Sequence, residues 1–309
     1  MFKDIKQVMK DSVLYGIGNV AVKLVGFILI PLYTDAEYFS TADYGLMGLL
    51  EVTSQILIAV MGLSLYSGLI RWYWDAEYRD KQKTIFFTTL LFTILTSLCI
   101  GSVLWLNVGE LSALLVQQEG YSLGGELPYI LQLLILTSML GAVVEVPQNL
   151  LRLQRKPIYY SLTNIVRLFV TLVLTIYFTI SLHRGVSGVY EAQLVGIVIQ
   201  LLMVLPLVIK NSSCRVDRKC TIQLLAYSYP LVFPAIVGSL LTVFDRYIIN
   251  HFQGLDDVGF YSLGYKVGNT LKVFIVTSVQ LALTPLLMKK MNDPDNKRFY
   301  SKVLTYFSF

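Results

Sequence analysis

An all-α membrane protein is the fold class this sequence predicts, and three observations predict it. Hydrophobic residues make up 55% of the chain and charged residues only 15%. Soluble domains carry roughly a quarter charged residues, so this chain has too few charges to coat a water-facing surface, and its mean hydropathy is +0.62. Apolar runs of about 20 residues, the length that crosses a hydrocarbon core, recur along the chain. Finally, Lys and Arg gather in every second loop between those runs.

Eight spanning segments follow from the hydropathy pattern, at roughly 12–34, 44–72, 84–106, 128–150, 157–182, 187–209, 223–250 and 259–288, with the start of a ninth beyond them. Leu, Ile, Val and Phe lie all around each run, which argues for helices, because strands of a membrane barrel alternate polar and apolar residues. Pro31, Pro147, Pro206, Pro230, Pro234 and Pro285 fall within or near the ends of segments. Prolines are tolerated there when neighbours satisfy the freed carbonyls, so kinked helices are expected. The basic start before the first segment lacks a small-residue cleavage site, so that segment is read as retained.

The loops give orientation. Lys3, Lys6 and Lys10 precede the first segment. Arg79, Lys81 and Lys83, then Arg152, Arg155 and Lys156, then Lys210, Arg215, Arg218 and Lys219, and finally Lys289 and Lys290 occupy alternate loops. The opposite loops hold Arg184 and a set of acids: Asp35, Glu37, Asp43, Glu110, Glu119, Glu126, Asp256 and Asp257. Basic residues stay on the cytoplasmic side. The amino terminus is therefore cytoplasmic and every even segment returns there. Basic residues placed this way report topology and not a nucleic-acid surface.

One corner is written twice. TADYGLMGLLEVTSQIL from Thr41 returns 214 positions later as LDDVGFYSLGYKVGNTL from Leu255, sharing Asp43/Asp257, Gly45/Gly259, Leu49/Leu263 and Leu57/Leu271. Both copies follow an outward-running segment, which predicts parallel repeats about an axis along the membrane normal. The fold expected is two helical lobes around a central cavity: residues 1–210 as the first lobe, 211–222 as a cytoplasmic linker, and 223–309 as a partial second lobe. The offset carries a full second lobe to about position 424, so the reading expects an amino-terminal piece of a longer chain.

Charges inside the spans are the functional text, since each costs at least about 2.5–3.5 kcal/mol to place at mid-bilayer. Lys23, Arg167 and Lys272 lie midway along their segments, and Lys266, Arg246 and Arg71 lie nearer the surfaces. Lys266 and Arg71 are read as equally able to snorkel, whereas the three at mid-depth are expected to line a polar cavity. The intramembrane carboxylates are Glu51, Glu145, Glu191 and Asp245. Pairing with the basic set is their expected role, and Glu51, Glu145 and Asp245 stay open as coupling sites. A cavity lined by cations predicts an anionic substrate, with phosphates well suited to such a clamp. Cys99, Cys214 and Cys220 lack the companion ligands of a metal site, and His183 and His251 stand apart. No nucleotide-binding glycine pattern or Ser/His/Asp arrangement is present, so no metal, cofactor or catalytic residue is expected.

Four stretches, DSVLYGIGNVAVKLVGFILIPLYT, FDRYIINHF, LDDVGFYSLGYKVGNTLKVF and LALTPLLMKKM, resemble polysaccharide flippases of the multidrug/oligosaccharidyl-lipid/polysaccharide (MOP) exporter superfamily, in its O-antigen branch. The resemblance implies a multi-pass protein of the bacterial inner membrane that moves a polyprenyl-diphosphate-linked oligosaccharide to the periplasmic face, without enzymatic chemistry. It implies membrane lipids, a polysaccharide polymerase and other glycan assembly proteins as partners. It places Lys23, Arg167 and Lys272 against the diphosphate and sugar, and matches Asp245-Arg246 to an Asp-Arg pair of the family. The alternatives are a multidrug or toxin extruder of the same superfamily and a non-transporting scaffold in a glycan assembly complex.

The topology is directly testable. In an otherwise cysteine-free protein, an impermeant thiol reagent added outside should label cysteines placed at Glu119–Gly125 and spare those at Arg215–Lys219. The reverse pattern overturns the orientation.

Overall fold

A computed structural model describes residues 29–115, 125–213 and 215–272, together with 297, 298, 301, 302 and 305. The predicted segment 12–34 falls largely outside these residues, and only its last turn, Ile30–Tyr33, is described. The remaining helices are α1 (Thr41–Gly62), α2 (Leu65–Trp72), α3 (Gln82–Leu106), α4 (Val108–Leu115), α5 (Leu127–Leu153), α6 (Pro157–Ile176), α7 (Gly185–Asn211), α8 (Arg218–Phe252) and α9 (Leu255–Lys272). Among the described residues six helices are long and apolar enough to cross a membrane. With the family and fold described below, they make this a polytopic all-α membrane protein.

Helix starts follow local chemistry. Ser40 and Asp43 form a reciprocal capping box on α1: the Asp43 amide donates to Ser40 Oγ at 3.1 Å, and the Ser40 amide donates to Asp43 Oδ2 at 2.9 Å. The aspartate of the repeated corner therefore satisfies backbone donors at a helix start. In the second copy, Gly254 takes the left-handed φ of 96° that ends α8, and Asp256 and Asp257 sit in the first turn of α9, where the helix dipole favours negative charge. Asp217 caps α8 by accepting from the Lys219 amide at 2.9 Å and the Cys220 amide at 3.3 Å. It also pairs with Lys81 at 2.5 Å. That hydrogen bond holds the exposed Asp217 carboxyl below its usual range and raises the Lys81 ammonium.

One predicted segment is divided. The sequence reading runs a single helix over 44–72, but Leu63 (φ 44°) and Ser64 (φ 50°) adopt left-handed backbone between α1 and α2. Thr96 Oγ1 takes up a carbonyl at this break, donating to Met61 at 2.8 Å, and Ser64 at the break reaches across to α8, its Oγ donating to the Leu231 carbonyl at 3.4 Å. The Gly62–Leu63–Ser64 run was the available signal, since Gly/Ser pairs are a recurrent cause of sharp kinks.

Helices α1, α3, α5, α6 and α7 form one bundle. Leu46, Leu49, Leu50, Ile130, Leu134, Ile135 and Val189 fill its core near the start of α1. Leu65, Leu69, Phe86, Leu150 and Leu151 fill it beyond the break, where Leu224 of α8 joins them. Helices α8 and α9 lie along the α1–α2 edge of this bundle.

The two copies of the corner meet each other. A Cβ on Gly45 would run into the Leu255 carbonyl and stand 3.0 Å from the Gly259 amide nitrogen. A Cβ on Gly259 would stand 2.5 Å from the Thr41 carbonyl oxygen and 3.3 Å from the Gly45 nitrogen. Thr41 and Leu255 are themselves separated by the repeat offset of 214, as are Gly48 and Ser262, which also touch. Each contact is thus answered by its repeat-related counterpart, as expected of surfaces facing one another across a two-fold axis. Both helices leave the contact in the same direction, so the axis runs along them and the repeats are parallel.

Gly45→Ala and Gly259→Ala each place a methyl group against rigid backbone, and each should destabilise the full-length protein by about 1–3 kcal/mol in thermal unfolding. Gly238 has open space around it, so Gly238→Ala is the control and should be neutral or stabilising. Equal effects at all three positions would contradict the reciprocal contact.

Candidate functional site

A cavity of about 590 Å³ lies beside the glycine contact, walled by α1, α7, α8 and α9. Helical spacing explains its walls. On α1, Tyr44, Gly48, Glu51 and Gln55 recur every three or four residues and share one face. On α9, Ser262, Tyr265, Lys266 and Asn269 do the same. Val189, Tyr190 and Gln193 of α7 and Tyr33 complete the lining.

Two cations reach this space. Arg246 of α8 is 8% exposed, its guanidinium carbon stands 4.8 Å from the Tyr265 ring centroid, and its Nε–H is buried without a hydrogen-bond acceptor. The neighbouring Asp245 does not neutralise it. One carboxylate oxygen accepts from the Arg246 backbone amide at 2.9 Å and the other accepts from the Tyr261 hydroxyl. Adjacent helical side chains diverge by about 100°, which leaves the guanidinium facing the cavity and the carboxylate facing Tyr261. No carboxylate lies within ion-pair distance of Arg246 among the described residues. Lys266 places its ammonium 5.5 Å from the Tyr33 ring and 5.9 Å from the Tyr44 ring. The negative faces of aromatic rings attract a cation held over them. Lys266 therefore points inward and does not snorkel.

The other sequence-selected residues are placed as follows. Glu51 lines the same cavity as Arg246 and Lys266. Arg167 lies in the α6–α7 interface, where Nη1 donates to Gln200 Oε1 at 3.1 Å and Gln200 in turn donates to Asn164 Oδ1 at 3.1 Å. Gly196 admits this approach, since a Cβ there would stand 3.2 Å from the Arg167 carbonyl. Arg167 is not among the cavity's lining residues. Glu145 faces the helix break, with a carboxylate oxygen 3.9 Å from where a Cβ on Gly62 would stand. Glu191 pairs with Arg184 at 2.6 Å and accepts from the Tyr129 hydroxyl at 2.9 Å. Arg71 is exposed, 5.5 Å from the Trp72 ring. Lys23 lies outside the described residues. Lys272 ends α9, and its side chain lies outside them as well. No cluster of metal-ligating side chains occurs among the described residues.

Sequence reasoning missed the tyrosines. Tyr33, Tyr44, Tyr190 and Tyr265 line the cavity, whereas tyrosines in membrane proteins are ordinarily read as an interfacial belt. The signal was available on α1, because Tyr44 stands seven residues before Glu51, which is two helical turns along one face.

Fold and site together define a polytopic helical membrane scaffold, with two helical elements related by a repeat and a charged cavity where they meet. The chain belongs to the polysaccharide biosynthesis protein family, whose sequence profile matches residues 8–291. Its fold is that of the MOP superfamily. It is similar to the MATE multidrug transporter DinF-BH, with a TM-score of 0.72 and 16% identity over 98% of this chain and 70% of that one. It is also similar to a MOP superfamily transporter from Pyrococcus furiosus, with a TM-score of 0.64 and 16% identity over 92% of this chain and 65% of that one. A third is a mutant form of the Vibrio cholerae MATE transporter VcmN, with a TM-score of 0.63 and 17% identity over 93% and 66%. The chain spans about two thirds of the length of these transporters. No curated protein matches it in sequence.

Proposed function

We propose that this chain forms the transmembrane body of a flippase that carries a polyprenyl-diphosphate-linked oligosaccharide from the cytoplasmic to the periplasmic face of the bacterial inner membrane. One observation carries the reading: a buried arginine, Arg246, with an unpartnered Nε–H and no carboxylate within ion-pair distance among the described residues, shares a cavity with Lys266. A buried cation with no carboxylate in ion-pair contact is costly, so its natural complement is an anionic ligand. Membership of the polysaccharide biosynthesis family supports a glycan-linked substrate. The Pyrococcus furiosus relative is described as having a binding pocket of reverse polarity that suggests a different function, so pocket charge is a sound basis for separating substrates on this fold.

The lobes rock about the cavity by alternating access. The diphosphate sits on Arg246 and Lys266, the sugars meet the tyrosine, glutamine and asparagine side chains of the wall, and the polyprenyl tail stays in the bilayer. Lys23 and Lys272 extend the cationic path as the head group crosses, whereas Arg167, engaged by Gln200 between α6 and α7, stands outside it. No covalent bond changes. Delivery to the periplasmic face hands the substrate to a polymerase and other glycan assembly proteins. Basic loops hold the amino terminus in the cytoplasm.

Complementation of a flippase-deficient strain with the full-length gene tests this. Arg246→Ala and Lys266→Ala should each lower surface glycan by about tenfold or more, the loss expected for a charge-assisted hydrogen bond, while membrane abundance stays normal. Lys266→Arg should be milder because the charge persists. Normal glycan display by the Arg246→Ala, Lys266→Ala double variant, or resistance to cationic drugs conferred by the wild-type gene without glycan display, would overturn the reading.

A further inference from the structure

The walls that α1 and α9 give the cavity are the same face of the repeated corner. Applying the offset of 214 to the α1 lining carries Gly48 onto Ser262, Glu51 onto Tyr265 and Gln55 onto Asn269, and all six line the space. The first pair touches at the crossing. The second sets a carboxylate against a phenol, so the chemistry of that level differs between the copies. The third pair keeps its chemistry: both members are primary amides, in a corner where few letters are identical. Surfaces related by a two-fold axis present counterpart groups to one another at equal depth. Gln55 and Asn269 each stand 14 residues beyond their helix starts, Thr41 and Leu255.

Both side chains are exposed, and neither makes a hydrogen bond among the described residues. Water satisfies an exposed amide at little cost, so that freedom alone means little. The level the pair occupies says more. Asn269 follows Lys266 by three residues and Gln55 follows Glu51 by four, a rise of about 4.5–6 Å, which is about one sugar ring beyond the charged groups. By the loop charges this is the cytoplasmic direction. A lipid-linked head group in the cytoplasmic leaflet holds its diphosphate nearer the midplane and its sugars nearer the water. Cations first and amides next is the order in which that head group presents its parts.

A primary amide carries two N–H donors beside a carbonyl acceptor. Vicinal hydroxyls of a pyranose ring offer the matching acceptor and donor, so one amide grips two hydroxyls. Amides on opposite walls grip both edges of one ring. Phosphate oxygens of a diester only accept, which leaves each amide carbonyl unmet and separates this level from the anion clamp.

We infer that Gln55 and Asn269 form a saccharide subsite, which takes the sugar joined to the diphosphate and reads its vicinal hydroxyls. This rests on the reading of the cavity as an anion site. The probes are geranyl diphosphate esterified with glucose and the same diphosphate esterified with cyclohexanol, a ring of like size without hydroxyls. Binding of each to the full-length protein in nanodiscs is measured by calorimetry against empty nanodiscs. The wild type should prefer the glucosyl probe by about tenfold or more, and Gln55→Leu and Asn269→Leu should each lose about threefold to tenfold of glucosyl affinity, the range for a neutral hydrogen bond. Affinity for the cyclohexyl probe should not change in either variant, whereas Arg246→Ala should weaken both probes. Equal binding of the two probes by the wild type, or leucine variants that keep the glucosyl preference, overturns the subsite and leaves the anion site standing. Absence of binding of either probe, or binding that Arg246→Ala leaves unchanged, overturns the anion site and the subsite with it. Should a leucine variant fail to accumulate, Gln55→Met and Asn269→Ala carry the same comparison.

Discussion

Everything in this molecule turns on two glycines that touch. Gly45 and Gly259 hold the same place in two copies of one corner, and each lets its helix approach the backbone that begins the other. A side chain at either position would meet a peptide carbonyl and not a flexible group that could swing aside. The close approach brings the first turns of α1 and α9 together, and from that point the two helices run on as parallel walls. Aspartates repeated beside the glycines serve the same end by satisfying or complementing the helix starts. The corner is written twice because both sides of a two-fold contact need the same shape.

The cavity is a consequence of that contact. Glu51, Tyr265 and Lys266, one to two turns along α1 and α9 from the crossing, converge with Tyr44 beside it, without any loop reaching in. Arg246 arrives from α8, turned away from Asp245 by the helical angle between neighbours and by the claim of Tyr261 on the carboxylate. Aromatic faces then hold both cations in place. Held this way, the cations stay turned toward the space that a ligand enters. The break at Leu63–Ser64 extends the logic to the far end of the bundle. There α2 follows α8, and Gly68 admits Ser228 and Leu224, so one interrupted segment serves two helices across the interface.

Much of this was legible in the sequence, because the membrane makes composition and charge placement unusually informative. The all-helical class, the boundaries of most spans and the repeated glycine corner could all be read from spacing. The capping role of Asp43 and the division at Leu63 were missed, although Ser40-x-x-Asp43 and Gly62–Leu63–Ser64 carried local signals for them. Within the site, cationic character was readable at Arg246 and Lys266, but depth along a helix was a poor guide to which cations share a cavity. Arg167 sits at mid-depth and is engaged by Gln200 between α6 and α7. Lys266 looked fit to snorkel, yet it lies over two tyrosines. Helix rotation decides these cases, and rotation is set by packing contacts such as Gly196 against Arg167 that no single segment encodes.

The most direct test of the account is an electron cryo-microscopy structure of the full-length protein with a lipid diphosphate bound. The account places the diphosphate within hydrogen-bonding distance, about 3 Å, of the Arg246 guanidinium and the Lys266 ammonium, beside an intact Gly45–Gly259 contact or one opened about the two-fold axis. Arg246 and Lys266 paired with carboxylates of the protein, with the diphosphate bound elsewhere, would contradict it.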